Sequence, residues 1–392
     1  MSHSLQRLKR FTPLLALIAG LLPAVEPILA GRLPRADGVF HLYRLAQLER
    51  AITHGVLFPR WLPDLGLGYG FPLFNYYAPL SYYLALPLRC LGLSFESTLL
   101  GGFLLGHLAL ATGTYLWTRE AFGRTAALAA AFLVGYAPYP LLNITYRGAY
   151  AEVWGLAFLA WALWAFQRLS ARGGRGAFAL AALFAAALVL SHNVMALLGI
   201  PLLAGYALLL AWQRRKVAGL APQLLLALAV GLGLAAFFWI PALGEQGYVQ
   251  IQQLQIYDYR EHFLPLAELF SGPAPVTQGE VAPYAPHSVG WILPVLALVS
   301  LAPHKKTLSK NARVQKWALA AACLVLLVMT LEVSTPIWEH LPLLSFIQFP
   351  SRFLGPASLG LAALAGLGLS RLPGPESWRV PLLLVLVRIF SL

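Results

Sequence analysis

Charged side chains are scarce in this sequence. Only 11% of the 392 residues are Asp, Glu, Lys or Arg, whereas 59% are hydrophobic, and the mean hydropathy is +0.69. Soluble globular domains contain about 25% charged residues, so a soluble globular fold is excluded. A chain that is apolar over many separate stretches is instead expected to cross a lipid bilayer several times.

Cysteine is also nearly absent. Cys90 and Cys323 are far apart and one lies inside an apolar run, so neither a disulfide framework nor a cysteine metal site is available. The sequence has no phosphate-cradling glycine loop, HExxH motif or nucleophile elbow, which leaves nucleotide-driven and zinc chemistry without support. The net charge is +13, but the basic residues form short clusters between apolar runs. That pattern is typical of membrane topology signals, and we expect no nucleic-acid partner.

Apolar runs of nearly spanning length predict an all-α polytopic membrane protein with about ten to eleven transmembrane helices. Residues 11–30 are predicted to be a retained first span rather than a cleaved signal peptide. The other candidate spans are residues 97–117, 125–141, 153–167, 177–191, 194–211, 223–241, 288–302, 317–331, 353–369 and 380–392. We expect one transmembrane domain over residues 1–392. Because the last apolar run contains Arg388, we also expect the natural chain to continue past Leu392.

The connections between these spans differ in charge. If the N-terminus is cytoplasmic, eighteen of the 28 basic residues, including every lysine, lie on the cytoplasmic side. Of the 15 acidic residues, only Glu120 and Glu376 lie on that side. The positive-inside rule therefore predicts a plasma-membrane protein with a cytoplasmic N-terminus. Two large loops, residues 31–95 and 242–287, are then extracytoplasmic.

The first outer loop is predicted to contain interfacial helices. Residues 71–83 include six aromatic side chains in thirteen positions, as is common where a protein crosses the membrane–water interface. The apolar run at residues 84–93 is too short to span a bilayer. We therefore expect a surface or re-entrant helix there.

The beginning of this loop carries the first candidate site residues. In a helix that starts at Asp37, the side chains of Asp37, His41 and Arg44 occupy positions i, i+4 and i+7 and share one face. This face is either catalytic or part of a helix lying on the membrane. In the second case Asp37 would only cap the helix N-terminus, and His41 and Arg44 would face water.

Four further polar residues are predicted at the same outer boundary. Arg147 follows one predicted span and Glu152 begins the next. Three interpretations are open: the two residues are functional, they pair with each other, or they contact lipid headgroups. His192 lies between two apolar runs, where a histidine is often a packing residue. Arg352 directly precedes a span and would either hold a lipid phosphate bidentately or anchor the helix to headgroups.

This combination indicates chemistry at the outer boundary of the membrane. A carboxylate can remove the proton of an attacking hydroxyl, and paired arginines can offset the charge on a departing phosphate. Such a site suits a membrane-embedded phosphate ester and an acceptor that arrives from water. The predicted catalytic residues are Asp37, His41 and Glu152, and the predicted substrate-binding residues are Arg44, Arg147, His192 and Arg352.

The chain resembles the bacterial multi-pass family of 6-pyruvoyl-tetrahydropterin synthase-related membrane proteins, which is close to the YfhO-like proteins within the GT-C class of glycosyltransferases. Four stretches carry the resemblance: Asp37-Gly-Val-Phe-His41, Pro72-Leu-Phe-Asn-Tyr-Tyr77, Arg147-Gly-Ala-Tyr-Ala-Glu152 and Gln348-Phe-Pro-Ser-Arg352. In the last, Ser351 stands where a tryptophan is expected. The resemblance implies a polyprenyl-phosphate sugar donor, Asp37 as the catalytic acid of the first outer loop, and Arg147 and Arg352 as donor-phosphate contacts.

We therefore expect a GT-C-type glycosyltransferase of the bacterial plasma membrane that transfers a sugar from a polyprenyl-phosphate-linked donor to an extracytoplasmic acceptor. Its expected partners are this donor and membrane lipids. A divalent cation bound by Asp37 is left open as a cofactor. Two other functions also stay open, a lipid or glycan transporter and a non-catalytic membrane scaffold. A transporter is favoured less because the charges lie at the ends of spans and no clear internal repeat is found.

Overall fold

Apolar helices joined mostly by short turns make up the computed structural model of the protein, which describes residues 19–249, 258–272, 286–303, 308–341 and 343–372. Within these ranges, twelve helices have nine or more residues. They are α1 (Gly38–Thr53), α2 (Leu80–Cys90), α3 (Phe95–Phe122), α4 (Arg124–Gly135), α5 (Tyr150–Arg172), α6 (Arg175–Ser191), α7 (Asn193–Gln213), α8 (Val217–Leu234), α9 (Ala236–Gly244), α10 (Ile292–Leu301), α11 (Lys310–Val328) and α12 (Leu354–Arg371). The predicted all-α fold is confirmed.

Shorter helical segments connect these elements. The four-to-six-residue α-helices are Glu26–Leu29, Leu73–Tyr76, Pro138–Leu142 and Thr335–His340, and a π-helix covers Asn143–Arg147. The 3-10 helices are Leu22–Val25, Gln246–Tyr248, Tyr259–His262, Glu268–Phe270, Glu332–Ser334, Leu344–Ile347 and Pro350–Phe353. An isolated antiparallel bridge joins Leu62 to Phe71 within the first loop.

The described residues contain fewer spans than the eleven candidate runs. Five helices are long and apolar enough to cross a membrane, or six if Arg124–Gly135 and Pro138–Arg147, which meet at a 43° bend, form one span. The predicted spans 177–191 and 288–302 correspond to α6 and α10, which have 17 and 10 residues. At 1.5 Å per residue, α10 is only about 15 Å long. The predicted span 380–392 and residues 1–18 of the N-terminal region lie outside the described residues.

Helix α12 lies in the centre of the bundle. It packs against α4 and α10, and nearly all of its side chains are buried. Gly366 permits a close approach to α4, since a Cβ atom at this position would lie 2.3 Å from the carbonyl oxygen of Ala126. Small residues allow membrane helices to pack this closely. The position of α12 in turn fixes the position of Arg352 just before its first residue.

The two ends of the bundle differ in composition. Near one end, the C-terminal parts of α3 and α5 bring Arg119 and Glu120 close to Arg168 and Arg172. Helix α5 begins at the other end with Glu152 in its first turn. This separation agrees with the predicted charge asymmetry, and the sidedness of the membrane stays a prediction.

The two predicted outer loops are described to different extents. Residues 31–95 contain α1, Leu73–Tyr76 and α2, so helices are present where interfacial helices are expected. For residues 242–287, the described parts form the end of α9, short 3-10 helices and coil. Residues 250–257 and 273–285 of this predicted loop lie outside the described residues.

Candidate functional site

Asp37 is held next to Arg147 by main-chain hydrogen bonds. The N–H of Asp37 donates to the carbonyl oxygen of Arg147 at 2.9 Å, and the preceding N–H of Ala36 donates to Tyr146 at 3.2 Å. The next residue, Gly148, has a φ of +68°, and a Cβ atom there would lie 3.0 Å from the nitrogen of Gly38. Glycine adopts this backbone conformation without steric cost. The first loop therefore docks its candidate acid onto the segment before α5.

The carboxylate of Asp37 is not used to cap α1. Asp37 occupies the N-cap position, but its side chain makes no capping hydrogen bond, so the capping interpretation is not supported. The residue is exposed overall, yet the surrounding protein displaces water from the carboxyl. This burial raises the pKa of Asp37 above its ordinary value of 3.8, and the positive charges of Arg147, Arg44 and Arg352 partly oppose the increase. The carboxylate thus lies among three guanidinium groups.

His41 and Arg44 face the protein rather than water. His41 is 1% exposed, and a hydrogen bond of 2.6 Å joins its Nδ1 to the hydroxyl of Tyr82. Burial, together with the charge of Arg44, lowers the pKa of His41 to about 3, so its imidazole is neutral at physiological pH. Arg44 lies 4.5 Å above the ring of Tyr77 and donates to Tyr82 at 3.5 Å. The alternative in which both side chains face water is wrong.

Glu152 is enclosed by hydrogen-bond donors. It is 2% exposed, and its Oε1 accepts hydrogen bonds from the hydroxyl of Tyr139 at 2.5 Å and from Nδ2 of Asn143 at 3.0 Å. Its Oε2 lies 3.7 Å from Nη1 of Arg147, which also donates to Oδ1 of Asn143 at 2.7 Å. The predicted pairing of Arg147 with Glu152 is therefore present. This network holds Arg147 in one orientation.

Arg352 joins the same cluster from the far end of the chain. Its Nη1 donates to the carbonyl oxygen of Ile347 at 2.7 Å, while its buried Nε has no hydrogen-bond partner among the described residues. The guanidinium interacts electrostatically with Glu152, Arg147 and Asp37. A buried donor without a partner is costly, and an anionic ligand would satisfy it.

His192 has a structural explanation. It is the N-cap of α7, where its Nδ1 accepts a hydrogen bond from the N–H of Met195 at 3.0 Å. Its side chain also lies close to α5, since a Cβ atom at Gly155 would be 3.0 Å from the Cβ of His192. The histidine interacts electrostatically with Glu152, but its geometry indicates helix capping.

Several residues of the site were not among the sequence candidates. Tyr139 and Asn143 precede Arg147 by eight and four residues, so helical spacing could have placed all three on one face. Tyr77 and Tyr82 line the face of Arg44 and lie in the aromatic stretch assigned to the interface.

His287 also lies near this cluster. It interacts electrostatically with Arg147 and Glu152, and its Nδ1 lies 4.0 Å from Oε1 of Glu268. No local pattern in the sequence indicated that this histidine would approach the site.

The donor set around Asp37 does not fit a divalent cation. No group of three or more His, Cys, Asp or Glu side chains that could hold a metal occurs among the described residues. The charges that act on Asp37 most strongly are the guanidinium groups of Arg147 and Arg44. Magnesium and calcium require several oxygen ligands, whereas this group of cations attracts an anion.

The fold is shared with GT-C glycosyltransferases. ArnT from Cupriavidus metallidurans, in its structure bound to undecaprenyl phosphate, superposes with a TM-score of 0.57 at 16% identity, over 97% of this chain and 63% of that protein. The apo oligosaccharyltransferase of Archaeoglobus fulgidus superposes with a TM-score of 0.52 at 16% identity, over 97% of this chain and 54% of that one. The chain thus spans less than two thirds of either protein's length. These similarities establish an all-α multi-pass membrane protein with a GT-C-like fold.

The sequence defines the family more narrowly. Residues 74–391 match the model of the 6-pyruvoyl-tetrahydropterin synthase related domain, a membrane protein family, and the chain belongs to this family. The matched segment includes Arg147, Glu152, His192 and Arg352 but begins after Asp37. No curated protein matches the sequence.

Proposed function

We propose that the protein is a membrane glycosyltransferase that transfers a sugar from a polyprenyl-phosphate-linked donor to a hydroxyl acceptor on the extracytoplasmic face of the bacterial plasma membrane. The observation that carries the proposal is the cluster of Asp37 with Arg147 and Arg352, in which a carboxylate that caps no helix lies beside two fixed guanidinium groups. The fold is that of ArnT, whose structure contains undecaprenyl phosphate, and this supports a lipid-linked donor.

In the proposed reaction, the acceptor oxygen attacks the anomeric carbon of the donor sugar. The bond from that carbon to the phosphate oxygen breaks, and its electron pair leaves on the phosphate. Asp37 takes the proton of the acceptor hydroxyl as general base. Arg147 and Arg352 offset the charge that develops on the departing polyprenyl phosphate. Arg44 adds positive charge beside Asp37.

Glu152 and His41 are positioning residues in this mechanism. Glu152 accepts hydrogen bonds from Tyr139 and Asn143 and orients Arg147, so its role is to hold the phosphate-binding guanidinium. His41 is buried and hydrogen-bonded to Tyr82, which fixes the face of α1 that also carries Arg44. His192 supports the mechanism only as the cap of α7.

An apolar groove offers a place for the isoprenoid chain of the donor. It has a volume of about 360 Å³ and is lined by α3, α5, α7, α11 and α12, including Leu326 and Pro356. Pro356 follows Arg352 by four residues, so the groove begins about one helical turn beyond the proposed phosphate contact. Its size is within the range of about 300–1,000 Å³ that is usual for ligand pockets.

The proposal is tested by transfer assays with purified protein in liposomes that contain polyprenyl phosphates linked to a panel of sugars. Asp37→Asn keeps the size of the side chain but removes its proton-accepting ability. We expect transfer to fall by about 10²- to 10⁴-fold, which is the usual contribution of a general base. Binding of undecaprenyl phosphate should change little, because both arginines remain.

Asp64→Asn is the matched control. Asp64 lies in the same loop, but its carboxylate pairs with Arg50 at 2.5 Å and is 40% exposed. This variant should transfer sugar at the wild-type rate. Wild-type transfer by Asp37→Asn would remove Asp37 from the mechanism, and absence of transfer by the wild-type protein from every polyprenyl-phosphate donor would contradict the function itself.

One observation favours a second function, a lipid transporter. The bend of 43° between Arg124–Gly135 and Pro138–Arg147 interrupts a span directly before the site, and transporters often place binding sites at broken helices. Translocation of a fluorescent polyprenyl phosphate across liposomes, in the absence of sugar transfer, would support this alternative. The location of the charged cluster at helix ends favours the enzyme.

A further inference from the structure

A polar cavity, separate from the proposed catalytic site, lies where the C-terminal ends of α5 and α7 meet the N-terminal ends of α8 and α11. Its volume is about 850 Å³. It lies at the opposite end of α5 from Glu152, and the proposed transfer reaction does not use it. Its basic lining residues are Arg172, Arg214, Arg215 and Lys216.

Three of the four basic side chains in this cavity, those of Arg214, Arg215 and Lys216, form no ion pair with an acid among the described residues. None of the described residues that line it is acidic. The fourth, Arg172, lies 3.4 Å from the carboxylate of Glu120, which also lies 3.8 Å from Arg168 outside the cavity. Arg214 donates from Nε to the hydroxyl of Ser170 at 3.2 Å, a neutral partner that orients the guanidinium and leaves its charge intact. The cavity therefore concentrates cations from two chain segments, the end of α5 and the connection between α7 and α8, around an open space.

The exposed face of α8 next to the cavity is apolar. Gly219 and Gln223 line the cavity, and helical spacing places Leu226 and Val230 on the same face of α8. Leu226 is 56% exposed and Val230 is 37% exposed. Trp212, which directly precedes the lining residue Gln213, is 60% exposed, as is common for tryptophan at a membrane interface.

We propose that this cavity binds the phosphate headgroup of an anionic phospholipid, whose acyl chains lie along the exposed apolar face of α8. The geometry of guanidinium groups suits bidentate contacts with phosphate oxygens. A soluble phosphate would use the same cations but would gain nothing from the apolar face. The combination of a basic cavity with an adjoining lipid-facing surface therefore favours a phospholipid as the occupant.

Binding at this position would affect the whole bundle. The cavity joins α5, α7, α8 and α11, and Nε2 of Gln213 on α7 donates to the carbonyl oxygen of Asn311 on α11 at 3.4 Å. A phosphate would reduce the repulsion between Arg172 of α5 and the basic residues of the connection between α7 and α8. Because a ligand that binds only the folded state stabilises it, an anionic phospholipid should raise the unfolding temperature.

The test measures lipid binding and thermal unfolding of the full chain in detergent. Phosphatidylglycerol should bind and raise the unfolding temperature, whereas phosphatidylethanolamine should do so much less. Inorganic phosphate and glycerol phosphate, at the same concentration, should have no comparable effect. In the double variant Arg214→Gln/Lys216→Gln, affinity for phosphatidylglycerol should fall about 25-fold, at about five-fold per charge.

Arg175→Gln is the matched control, because Arg175 is an exposed basic residue at the start of α6 and does not line the cavity. The affinity of this variant for phosphatidylglycerol should match that of the wild-type protein. If the double variant fails to fold, the single variant Arg215→Gln, at an exposed position, should still weaken binding about five-fold.

Three outcomes would overturn the proposal. Equal binding of phosphatidylglycerol and phosphatidylethanolamine would exclude a headgroup site. Equal stabilisation by inorganic phosphate would indicate a soluble anion instead. Unchanged affinity in the cavity variants would place the binding elsewhere.

Discussion

The two ends of the bundle both contain clusters of arginine, but they hold these side chains differently. Near Asp37, Arg147 and Arg352 are largely covered by protein, and each donates a hydrogen bond of 2.7 Å to a fixed oxygen. At the opposite end, Arg172 and Arg215 are exposed. A guanidinium that is already oriented loses little entropy when it binds a phosphate, whereas an exposed one must be ordered first. The first arrangement suits chemistry, and the second suits the looser recognition of headgroups.

The ion pairs at the two ends differ in the same way. In the pair of Glu152 with Arg147, the side chains are 3% and 20% exposed. In the pair of Glu120 with Arg172, they are 18% and 60% exposed. Breaking a buried pair leaves an uncompensated charge, whereas breaking an exposed pair costs little because water replaces the lost partner. Substitutions at the two ends should therefore have unequal effects.

The largest effect is expected when Glu152 loses its charge. Glu152→Gln leaves Arg147 without its buried carboxylate, and the unfolding free energy should decrease by about 3 kcal/mol. Glu120→Gln, at the opposite end, should change it by less than about 1 kcal/mol. Both values can be measured by unfolding in detergent. Equal losses in the two variants would mean that the two ends hold their arginines equally firmly.

The next effect concerns the proposed phosphate contact of Arg352. Arg352→Gln should reduce kcat/KM for sugar transfer by about 10- to 100-fold, because hydrogen bonds to charged groups contribute about 1.5–3 kcal/mol. The exposed Arg175 serves as the comparison from the opposite end, and Arg175→Gln should leave kcat/KM unchanged. Binding of undecaprenyl phosphate by both variants would show whether the loss arises in donor recognition. Full activity in Arg352→Gln would mean that this arginine only anchors α12.

The smallest expected effect is a displacement of the pH profile. A general base must be deprotonated, so transfer should decrease as the pH falls through the pKa of Asp37, which burial raises above 3.8. Arg44 opposes this increase in pKa, so Arg44→Gln should move the midpoint of the acidic limb to higher pH. The measurement is kcat/KM against pH for both proteins. A midpoint that moves to lower pH in the variant would contradict the assigned electrostatics.

Part of the site was accessible from the sequence because its geometry is local. The spacing of Asp37, His41 and Arg44 follows helical periodicity, and α1 does bring Asp37 and Arg44 within electrostatic reach of each other. Helical periodicity could likewise have predicted that Tyr139 and Asn143 share a face with Arg147. It could not show that His41 is buried against Tyr82, because that contact depends on how α2 packs against α1.

The sequence by itself determined the class of the protein. Apolar composition in a chain with so few charges leaves only a membrane-embedded helical fold, since backbone polar groups in lipid must be satisfied within each helix. The sequence likewise places the basic clusters and most of the acidic residues in different connections between the apolar runs. These properties are sums over many residues, so they do not depend on any particular tertiary contact.

Only the tertiary structure decided which charges meet. The main-chain hydrogen bond from Asp37 to Arg147, the left-handed backbone of Gly148 and the close packing of α12 on α4 bring three distant segments to one point. The resemblance implies that Arg147 and Arg352 both contact the donor phosphate, and the packing brings their guanidinium groups within electrostatic reach of each other. Which helix ends become neighbours depends on the shapes of surfaces that are far apart in the chain, and local periodicity carries no information about them.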